Sequence, residues 1–577
     1  MKTDKSYIQG IGVSLGIAIG KAFVLKKNNA ALIGKSLETK EEITIEIEKF
    51  DVAVKSSVAE IETIKNYILP TSTPEAAEIL ETQIELLQDP EIRECVLQKI
   101  NEEKKSANDA LLETIHSFVE LFKNMNDEYM SARSADVQDI GNRILKNLNH
   151  STEKESIKFE PGSIIIADDI PPSDILSIDL SQIAGIATCN GSKTSHASII
   201  AKSKNIPAVA GCGNDLLQIN NADTIILDGI KGYVIINPDE NIITEYTKLK
   251  DNYIKKRMML QSLKDVAPIT TDGRQIKLTA NISNSDDLDV MFENGGEGVG
   301  LFRTELLFMN RDSFPTEEEQ FDFYKKVALK SKNKPVIIRT IDIGGDKQVS
   351  YFGLPMEQNP FLGYRAIRIC LDRKDIFIAQ LKAILRASIF GNLKIMFPMI
   401  ANAQELRAAK EILTEAKNEL IKSNIKFDEK IQVGIMIEIP AAAIAADILA
   451  KEADFFSIGT NDLIQYTLAV DRMNDKIKDL YDPFNPAVLR LIQNSIEQAH
   501  KHNIHVGMCG EMASDPLATL LLLGMGLDEF SMSAASIPDV KNCIITNSFA
   551  NASAITKKVM EIDDSKKIIT YLKEIIS

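Results

Sequence analysis

Residues 455–462 have the sequence FFSIGTND, a short apolar run followed at once by glycine and polar residues. A continuous apolar run of this length is typical of a strand that is buried on both faces of a sheet. Comparable runs, separated by helical patterns, occupy residues 275–282, 297–302, 335–341, 394–399, 432–439, 505–509 and 529–533. Eight strand–helix units in roughly 300 residues predict a (β/α)8 barrel, or TIM barrel, over residues 264–577.

Reactive side chains follow several of these predicted strands, among them Arg303, Arg339, Glu438, Asp462 and Cys509. In a barrel of this kind, the residues after the strands meet at one mouth, where catalysis takes place. Each residue alone has an ordinary explanation, such as a surface ion pair, a helix cap or inert packing of a cysteine. As a set, the arginines suit a phosphate or carboxylate and the two carboxylates suit Mg²⁺. They predict a site for a small, anionic, metal-bound ligand, with a cysteine that can hand over a proton.

His196 stands apart from the other histidines, which are at 116, 150, 500, 502 and 505. Those five occur in polar helical or turn contexts that indicate surface positions. His196 instead follows the sequence NGSKTS at residues 190–195, a glycine turn with hydroxyl residues before a predicted helix. Hydroxyl caps and free backbone N–H groups at a helix N-terminus bind phosphate. A reactive histidine is one interpretation, and a structural histidine with satisfied hydrogen bonds is the other.

The first half of the chain predicts two interleaved domains. Residues 1–35 and 151–235 contain short apolar runs separated by turns, which indicates one α/β domain built from two segments. Residues 36–150 have little glycine and an apolar period of 3.6 residues, which predicts an inserted α-helical bundle. Residues 236–263 predict a linker helix. The predicted fold class is multidomain α/β: an α/β domain with an inserted helical bundle, followed by the barrel.

The charge of the chain is unevenly distributed. A net charge of −16 argues against nucleic-acid binding, which needs clustered lysine and arginine. Residues 36–150 hold 24 acidic and 12 basic residues, with no basic residue between Asn66 and Ile92. The helical pattern that starts at Thr73 aligns four acids in one stripe: Glu75, Glu78, Glu81 and Glu85. The stripe is either a solvated face or a docking face for a basic partner.

The composition also predicts the compartment. No apolar stretch approaches the roughly 18 residues that a membrane helix needs, and no signal-peptide core follows the N-terminus. The six cysteines are scattered, without a CxxC pair or a zinc-binding spacing. We therefore expect a cytoplasmic protein.

The sequence TSHASIIAK at residues 194–202 resembles the phosphohistidine motif of the phosphoenolpyruvate-utilising family. The predicted barrel is similar to that family's substrate domain in GVGLFRTE at 298–305, DIGGDK at 342–347, NPFLGYR at 359–365, FFSIGTNDL at 455–463, GMCGE at 507–511 and GMGLDEFS at 524–531. Over essentially the whole chain, the domain order and length resemble the enzyme I group of the bacterial phosphoenolpyruvate-dependent sugar phosphotransferase system.

The resemblance implies a phosphoenolpyruvate-protein phosphotransferase that phosphorylates its own histidine and then the phosphocarrier protein HPr. It implies that HPr docks on the helical domain and that the barrel forms a homodimer. The residues that it implies are His196, Cys509 and Arg365 in catalysis, Arg303, Arg339, Asn461, Asp462 and Arg472 in substrate binding, and Glu438 with Asp462 for Mg²⁺. Within that set, Arg365 would stabilise the transferring phosphoryl group and Cys509 would protonate C3 of the enolate.

One departure and three alternatives remain. The family commonly has Gly-Gly-Arg before the Thr-Ser-His motif, where this chain has Gly191, Ser192 and Lys193. Lysine keeps the charge but loses the guanidinium fork, so phosphate handling near His196 is expected to differ while activity is kept. A dikinase or synthase of the family would carry a large ATP-binding domain, for which this chain has neither room nor a G-x-x-x-x-G-K-[ST] loop. A nitrogen-regulatory paralogue would usually add an N-terminal sensory domain, which we do not expect here. An inactive signalling scaffold would not need to retain every candidate catalytic residue.

Overall fold

The computed structural model describes residues 7–25, 37–68, 83–123, 128–148, 159–168, 170, 178–191, 195–204, 206–309, 311, 313–345, 349–354, 357–474 and 476–576. The start of the predicted helix at Thr73 and the segment Ser192 to Thr194 lie outside these residues. The chain divides into two compact units, residues 1–256 and 257–577. None of the helices in the described ranges is both long and apolar enough to cross a membrane.

The first unit contains an eight-stranded sheet. Its strands are β1 Tyr7–Gln9, β2 Ile11–Ser14, β3 Ile17–Leu25, β4 Ser163–Ala167, β5 Ile183–Thr188, β6 Ala208–Ala210, β7 Thr224–Asp228 and β8 Tyr233–Ile236. They are ordered β1-β8-β7-β3-β4-β5-β6-β2. β3 pairs in parallel with β4, from Ala22 opposite Ile164 to Leu25 opposite Ala167. This pairing joins the two segments that flank the helical region into one sheet.

The described residues between β3 and β4 include the helices α1 Lys40–Ile68, α2 Pro90–Asn101, α3 Ala107–Lys123 and α4 Glu128–Leu148. Asp89 begins α2, because its side chain accepts a hydrogen bond from the backbone N–H of Glu91 at 2.8 Å and Pro90 takes the first helical position. The helices bury a common apolar core that includes Phe50, Val96 and Ile140. Further along the described part of the chain lie α5 His196–Ser203 and α6 Glu240–Ser262.

The second unit is built on a closed barrel of eight parallel strands, which confirms the predicted fold class. The strands are β9 Lys277–Ile282, β10 Val299–Phe302, β11 Val336–Arg339, β12 Leu393–Phe397, β13 Val433–Ile437, β14 Phe455–Ile458, β15 His505–Met508 and β16 Glu529–Met532. β16 pairs with β9 and closes the ring. The strands are shorter than predicted: the ladders of β13 and β15 end at Ile437 and Met508, and Glu438 and Cys509 come directly after them.

Helices surround this barrel: α7 Asp287–Glu293, α8 Glu317–Lys330, α9 Ile367–Asp372, α10 Lys374–Ala387, α11 Ala403–Lys422, α12 Pro440–Ile444, α13 Ala446–Leu449, α14 Thr460–Leu468, α15 Pro486–Lys501, α16 Pro516–Met525, α17 Ile537–Thr546, α18 Phe549–Met560 and α19 Ser565–Ile576. Thr316 and Glu319 form a capping box at the start of α8.

Apolar side chains fill the barrel interior below the mouth. Leu301, Ile337, Met396, Met436, Phe455 and Cys509 form one buried cluster there. Gly434 leaves the space for the ring of Phe455, since a Cβ at residue 434 would lie 2.4 Å from a ring atom. The floor of the mouth is therefore apolar, and charges above it are poorly screened by water.

Candidate active site

Arg339, the last residue of β11, lies buried at the mouth between two carboxylates. Its Nη1 is 2.9 Å from Oδ2 of Asp342, and its Nη2 donates a hydrogen bond to Glu305. Burial alone would lower the pKa of this guanidinium, but Glu305, Asp342 and Glu438 outweigh burial and raise it. Arg339 is therefore a permanent cation held in one orientation.

A second buried arginine, Arg365, shares a carboxylate with the first. Its Nη2 donates to Oδ1 of Asp342 at 2.8 Å and lies 3.4 Å from Oδ2 of Asp462, and its Nη1 donates to the hydroxyl of Tyr466 at 3.0 Å. Burial opposes the charge of Arg365, and Asp342 and Asp462 more than compensate, so its pKa is raised. Gly344 permits this position, because its φ is +102° and a Cβ there would lie 2.6 Å from Cβ of Arg365.

Two carboxylates, Glu438 and Asp462, face the same space from β13 and α14. Glu438 follows β13, and its Oε1 accepts a hydrogen bond from the backbone N–H of Met399 at 2.6 Å. Asp462 is the third residue of α14. Burial and the negative charges of Asp462 and Asp342 raise the pKa of Glu438. The two acids therefore repel each other and would gain from a cation between them.

The donor set fits a magnesium ion. Oδ1 of Asp462 is buried and has no hydrogen-bond partner among the described residues. Within the same residues, no three His, Cys, Asp or Glu side chains are grouped so as to hold a metal. A site of two carboxylates suits Mg²⁺, which keeps several waters and binds one or two protein carboxylates together with substrate phosphate oxygens.

Cys509 lies beneath this charged layer, at the end of β15. Its side chain is buried, its backbone N–H donates to the carbonyl of Ile458 at 3.0 Å, and its thiol donates to the same carbonyl at 3.8 Å. Burial raises the pKa of the thiol to about 11, although Ser457 and Arg339 act in the opposite direction. At neutral pH the group is a protonated thiol, the form in which it can donate a proton.

Three other predicted residues lie at the rim. Arg303 follows β10 and is exposed, and its charge favours the thiolate form of Cys509. The side chain of Asn461 contacts Glu511: its Oδ1 accepts from the backbone N–H of Glu511 at 3.0 Å. The backbone N–H of Arg472 donates to Oε1 of Gln465 at 3.1 Å, and its side chain is half-buried. These residues are placed to meet a ligand from the solvent side.

His196 belongs to the first unit, where it is the first residue of α5. Ser195 precedes it in an extended conformation as the N-cap residue, and Ser195 and Ser198 hydroxyls are 2.8 Å apart. Gly191 has a φ of +109°, a value that favours glycine. The helix start at His196 is thus confirmed, while residues 192–194 of the predicted turn lie outside the described residues.

Sequence reasoning assigned no role to three side chains that contact the buried arginines: Glu305, Asp342 and Tyr466. All three were visible in the quoted motifs or beside them. Glu305 and Asp342 are buried acids that follow β10 and β11, and buried acids are rare unless they are paired. That signal marks them as partners of the arginines.

Three family models match parts of this chain. Residues 257–549 match the family model of the PEP-utilising enzyme, PEP-binding domain. Residues 9–133 match that of the PEP-utilising enzyme, N-terminal, and residues 159–232 that of the PEP-utilising enzyme, mobile domain.

Curated relatives cover nearly the whole chain. A phosphoenolpyruvate-protein phosphotransferase of Bacillus subtilis is 44% identical over 98% of this chain and 99% of its own length. One from Buchnera aphidicola of Acyrthosiphon pisum is 45% identical over 99% of this chain and 100% of its own length. One from Staphylococcus aureus is 42% identical over 99% of both chains.

Proposed function

Because the chain belongs to the PEP-utilising enzyme family, we propose that it is a phosphoenolpyruvate-protein phosphotransferase that moves the phosphoryl group of phosphoenolpyruvate onto His196 and then onto the histidine of HPr. One observation carries the proposal. Two buried arginines, Arg339 and Arg365, are held by the single carboxylate of Asp342 beside the acids Glu438 and Asp462. Such an array suits a phosphate-bearing carboxylate and a divalent cation.

In this proposal the arginines bind and orient the substrate. Arg339 and the rim residues Arg303, Asn461 and Arg472 hold the phosphate and carboxylate of phosphoenolpyruvate. Arg365 lies against the transferring phosphoryl group and stabilises the charge that develops on it. Arg339 and Arg365 are already fixed by ion pairs, so little reorganisation of these two side chains is needed when the substrate binds.

Glu438 and Asp462 are proposed to hold Mg²⁺. When bound there, the ion supplies positive charge to the phosphate oxygens of the substrate. The chain's own residues do the remaining work: the bond between phosphorus and the enol oxygen breaks, and a bond from phosphorus to Nε2 of neutral His196 forms. The thiol of Cys509 then gives its proton to C3 of the enolate, which leaves as pyruvate.

The proposal extends to the organisation of the chain. We assign residues 1–35 and 151–235 to a phosphohistidine domain, 36–150 to an HPr-binding helical domain, 236–263 to a linker helix and 264–577 to a phosphoenolpyruvate-binding and dimerisation barrel. His196 has to reach both phosphoenolpyruvate and HPr, so the linker is expected to allow domain movement. The corresponding cellular function is to drive sugar uptake, and we expect the protein to be a cytoplasmic homodimer.

Self-labelling tests the proposal. The full chain is incubated with Mg²⁺ and phosphoenolpyruvate that carries ³²P, without nucleotide, and pyruvate is measured in parallel. We expect stoichiometric label that is acid-labile and base-stable, and none in His196→Ala. His116→Ala is the matched control, since His116 is exposed on α3. Label that persists in His196→Ala, or a wild-type chain that takes none, would contradict the proposal.

A further inference from the structure

Cys509 is held by a side chain from a strand that is not its neighbour in the barrel. The strand order around the ring is β15, β16, β9, so β16 lies between Cys509 and β9. Asn281 on β9 nevertheless reaches across, and its Nδ2 donates a hydrogen bond to the backbone carbonyl of Cys509 at 3.0 Å. The ladder pairs between β15 and β16 are Gly507 with Glu529 and Met508 with Phe530. Cys509 follows the last of these pairs. Its carbonyl accepts a hydrogen bond from the Asn281 side chain instead of taking part in the ladder with β16.

Asn281 is itself fixed in orientation by Ser531. The Ser531 hydroxyl is 1% exposed and donates to Oδ1 of Asn281 at 2.6 Å. Because the hydroxyl occupies the oxygen of the amide, the nitrogen is left facing Cys509. Gly300 makes room for this serine, since a Cβ at residue 300 would lie 2.5 Å from both Cβ and Oγ of Ser531. Asn281 of β9 thus contacts the carbonyl, Ser531 of β16 orients Asn281, and Gly300 of β10 leaves room for Ser531.

The remaining contacts of Cys509 come from β14. Its backbone N–H and its thiol both donate to the carbonyl of Ile458, at 3.0 and 3.8 Å. The residue is therefore held from both sides, by β14 through N–H and thiol and by Asn281 through its carbonyl. Loss of the Asn281 contact would free the end of β15 to shift.

A small shift matters for the chemistry assigned to this thiol. The enolate carbon C3 is planar, and its proton must arrive on one face along a defined direction. A misplacement of about 1 Å can cost about 100-fold in rate. A buried acid that delivers one proton therefore needs a fixed backbone.

We propose that Asn281 is a positioning residue for proton transfer, which, with Ser531 orienting its amide, fixes the backbone of Cys509 so that the thiol meets one face of the enolate. This inference rests on the proposed function. Asn281 contacts neither the substrate nor the reacting atoms, and it acts through the backbone of Cys509.

The test uses three variants of the full chain. Asn281→Asp keeps the acceptor for Ser531 but loses the N–H donor to Cys509, and Asn281→Ala and Ser531→Ala remove one partner without adding charge. Asn494→Asp is the matched control, because Asn494 also donates to a backbone carbonyl, that of Ala443 at 2.7 Å, and accepts from another side chain, Gln498 at 3.2 Å. It lies on α15, away from the mouth. Thermal unfolding by circular dichroism establishes that each variant is folded.

Two quantities are measured. The first is the single-turnover rate of pyruvate formation as a function of phosphoenolpyruvate concentration. The second is the handedness of the methyl group formed from (Z)-[3-²H]phosphoenolpyruvate in tritiated water. In the Asn281 and Ser531 variants we expect the rate to fall about 10- to 100-fold at saturating substrate, with half-saturation changed less than about twofold. We expect wild type and Asn494→Asp to give one methyl configuration and the Asn281 variants to give a mixture.

Wild-type rates and a single configuration in the Asn281 variants would overturn the inference. A slow reaction that still gives one configuration would overturn it as well, since the thiol would then keep its place. These outcomes are distinct from failure of the proposed function. If that function were wrong, wild type itself would neither label His196 nor release pyruvate, and the inference would lose its basis.

Discussion

Asp342 accepts a hydrogen bond from Arg365 through Oδ1 at 2.8 Å, while its other oxygen lies 2.9 Å from Nη1 of Arg339. One carboxylate thus bridges two buried cations, each of which has a further partner of its own. Asp342 is 2% exposed, so its charge acts on both arginines with little screening by water. The anion-binding geometry of the mouth depends on this shared partner.

Asp342→Asn should slow self-phosphorylation about 100-fold, because the two arginines lose the charge that orients them. Removing one charge from a buried, paired network should also lower the free energy of unfolding of the barrel by about 3–5 kcal/mol. Rapid-quench labelling and urea unfolding measure the two effects. Asp372→Asn is the control, since Asp372 is exposed and accepts from the hydroxyl of Tyr364. Equal rates in the two variants would show that the bridge is dispensable.

Mg²⁺ affinity should fall as the pH falls. Burial, Asp462 and Asp342 raise the pKa of Glu438, so in the empty site this carboxyl takes up a proton at a higher pH than an ordinary glutamate. A cation must displace that proton, and affinity therefore drops by up to about tenfold per pH unit below the raised pKa. Calorimetric titration with MgCl₂ at several pH values measures it. Glu438→Gln should bind more weakly and lose the pH dependence; an equally steep dependence in that variant would assign the proton to another group.

Cys509 should react slowly with iodoacetamide at neutral pH. Burial raises the pKa of its thiol to about 11, so only about one molecule in a thousand is a thiolate at pH 8, and the rate should rise about tenfold per pH unit from there. Mass spectrometry of the labelled peptides follows each cysteine separately. Cys95, which is only partly buried, is an internal reference in the same sample. Labelling of Cys509 that is fast and insensitive to pH would contradict a buried, protonated donor.

Reversing the acidic stripe should impair transfer to HPr and spare self-phosphorylation. Glu85 is exposed, while Glu78 and Glu81 lie outside the described residues. With all three changed to lysine, we expect transfer at low salt to slow about tenfold or more, since charges at the rim of an interface act mainly on association. Rapid-quench transfer to purified HPr at increasing salt measures this effect, which should shrink as ionic strength rises.

The control for the stripe is the pair Glu411→Lys and Glu415→Lys, exposed on α11 of the barrel. This pair should leave transfer unchanged. A stripe variant that transfers at the wild-type rate, with little dependence on salt, would place the docking face elsewhere.

Much of the fold follows from the sequence because buried parallel strands carry a local signal. The run Val433–Ile437 is apolar throughout, and the reactive residue Glu438 follows it directly, so both the strand and the place of the acid at the mouth could be predicted. The same reasoning located Arg339 and Cys509. Each of these predictions depends only on residues that are neighbours along the chain.

The pairings within the mouth were decided by closure of the barrel. Asn281 and Cys509 are joined by one hydrogen bond across 228 positions of sequence, and Arg365 meets Asp462 across 97. Periodicity reports which face of a strand is buried, but not which side chain from another strand it will meet. The pKa of Cys509 and that of Glu438 have the same origin, since burial and neighbouring charges exist only once the eight strands surround them.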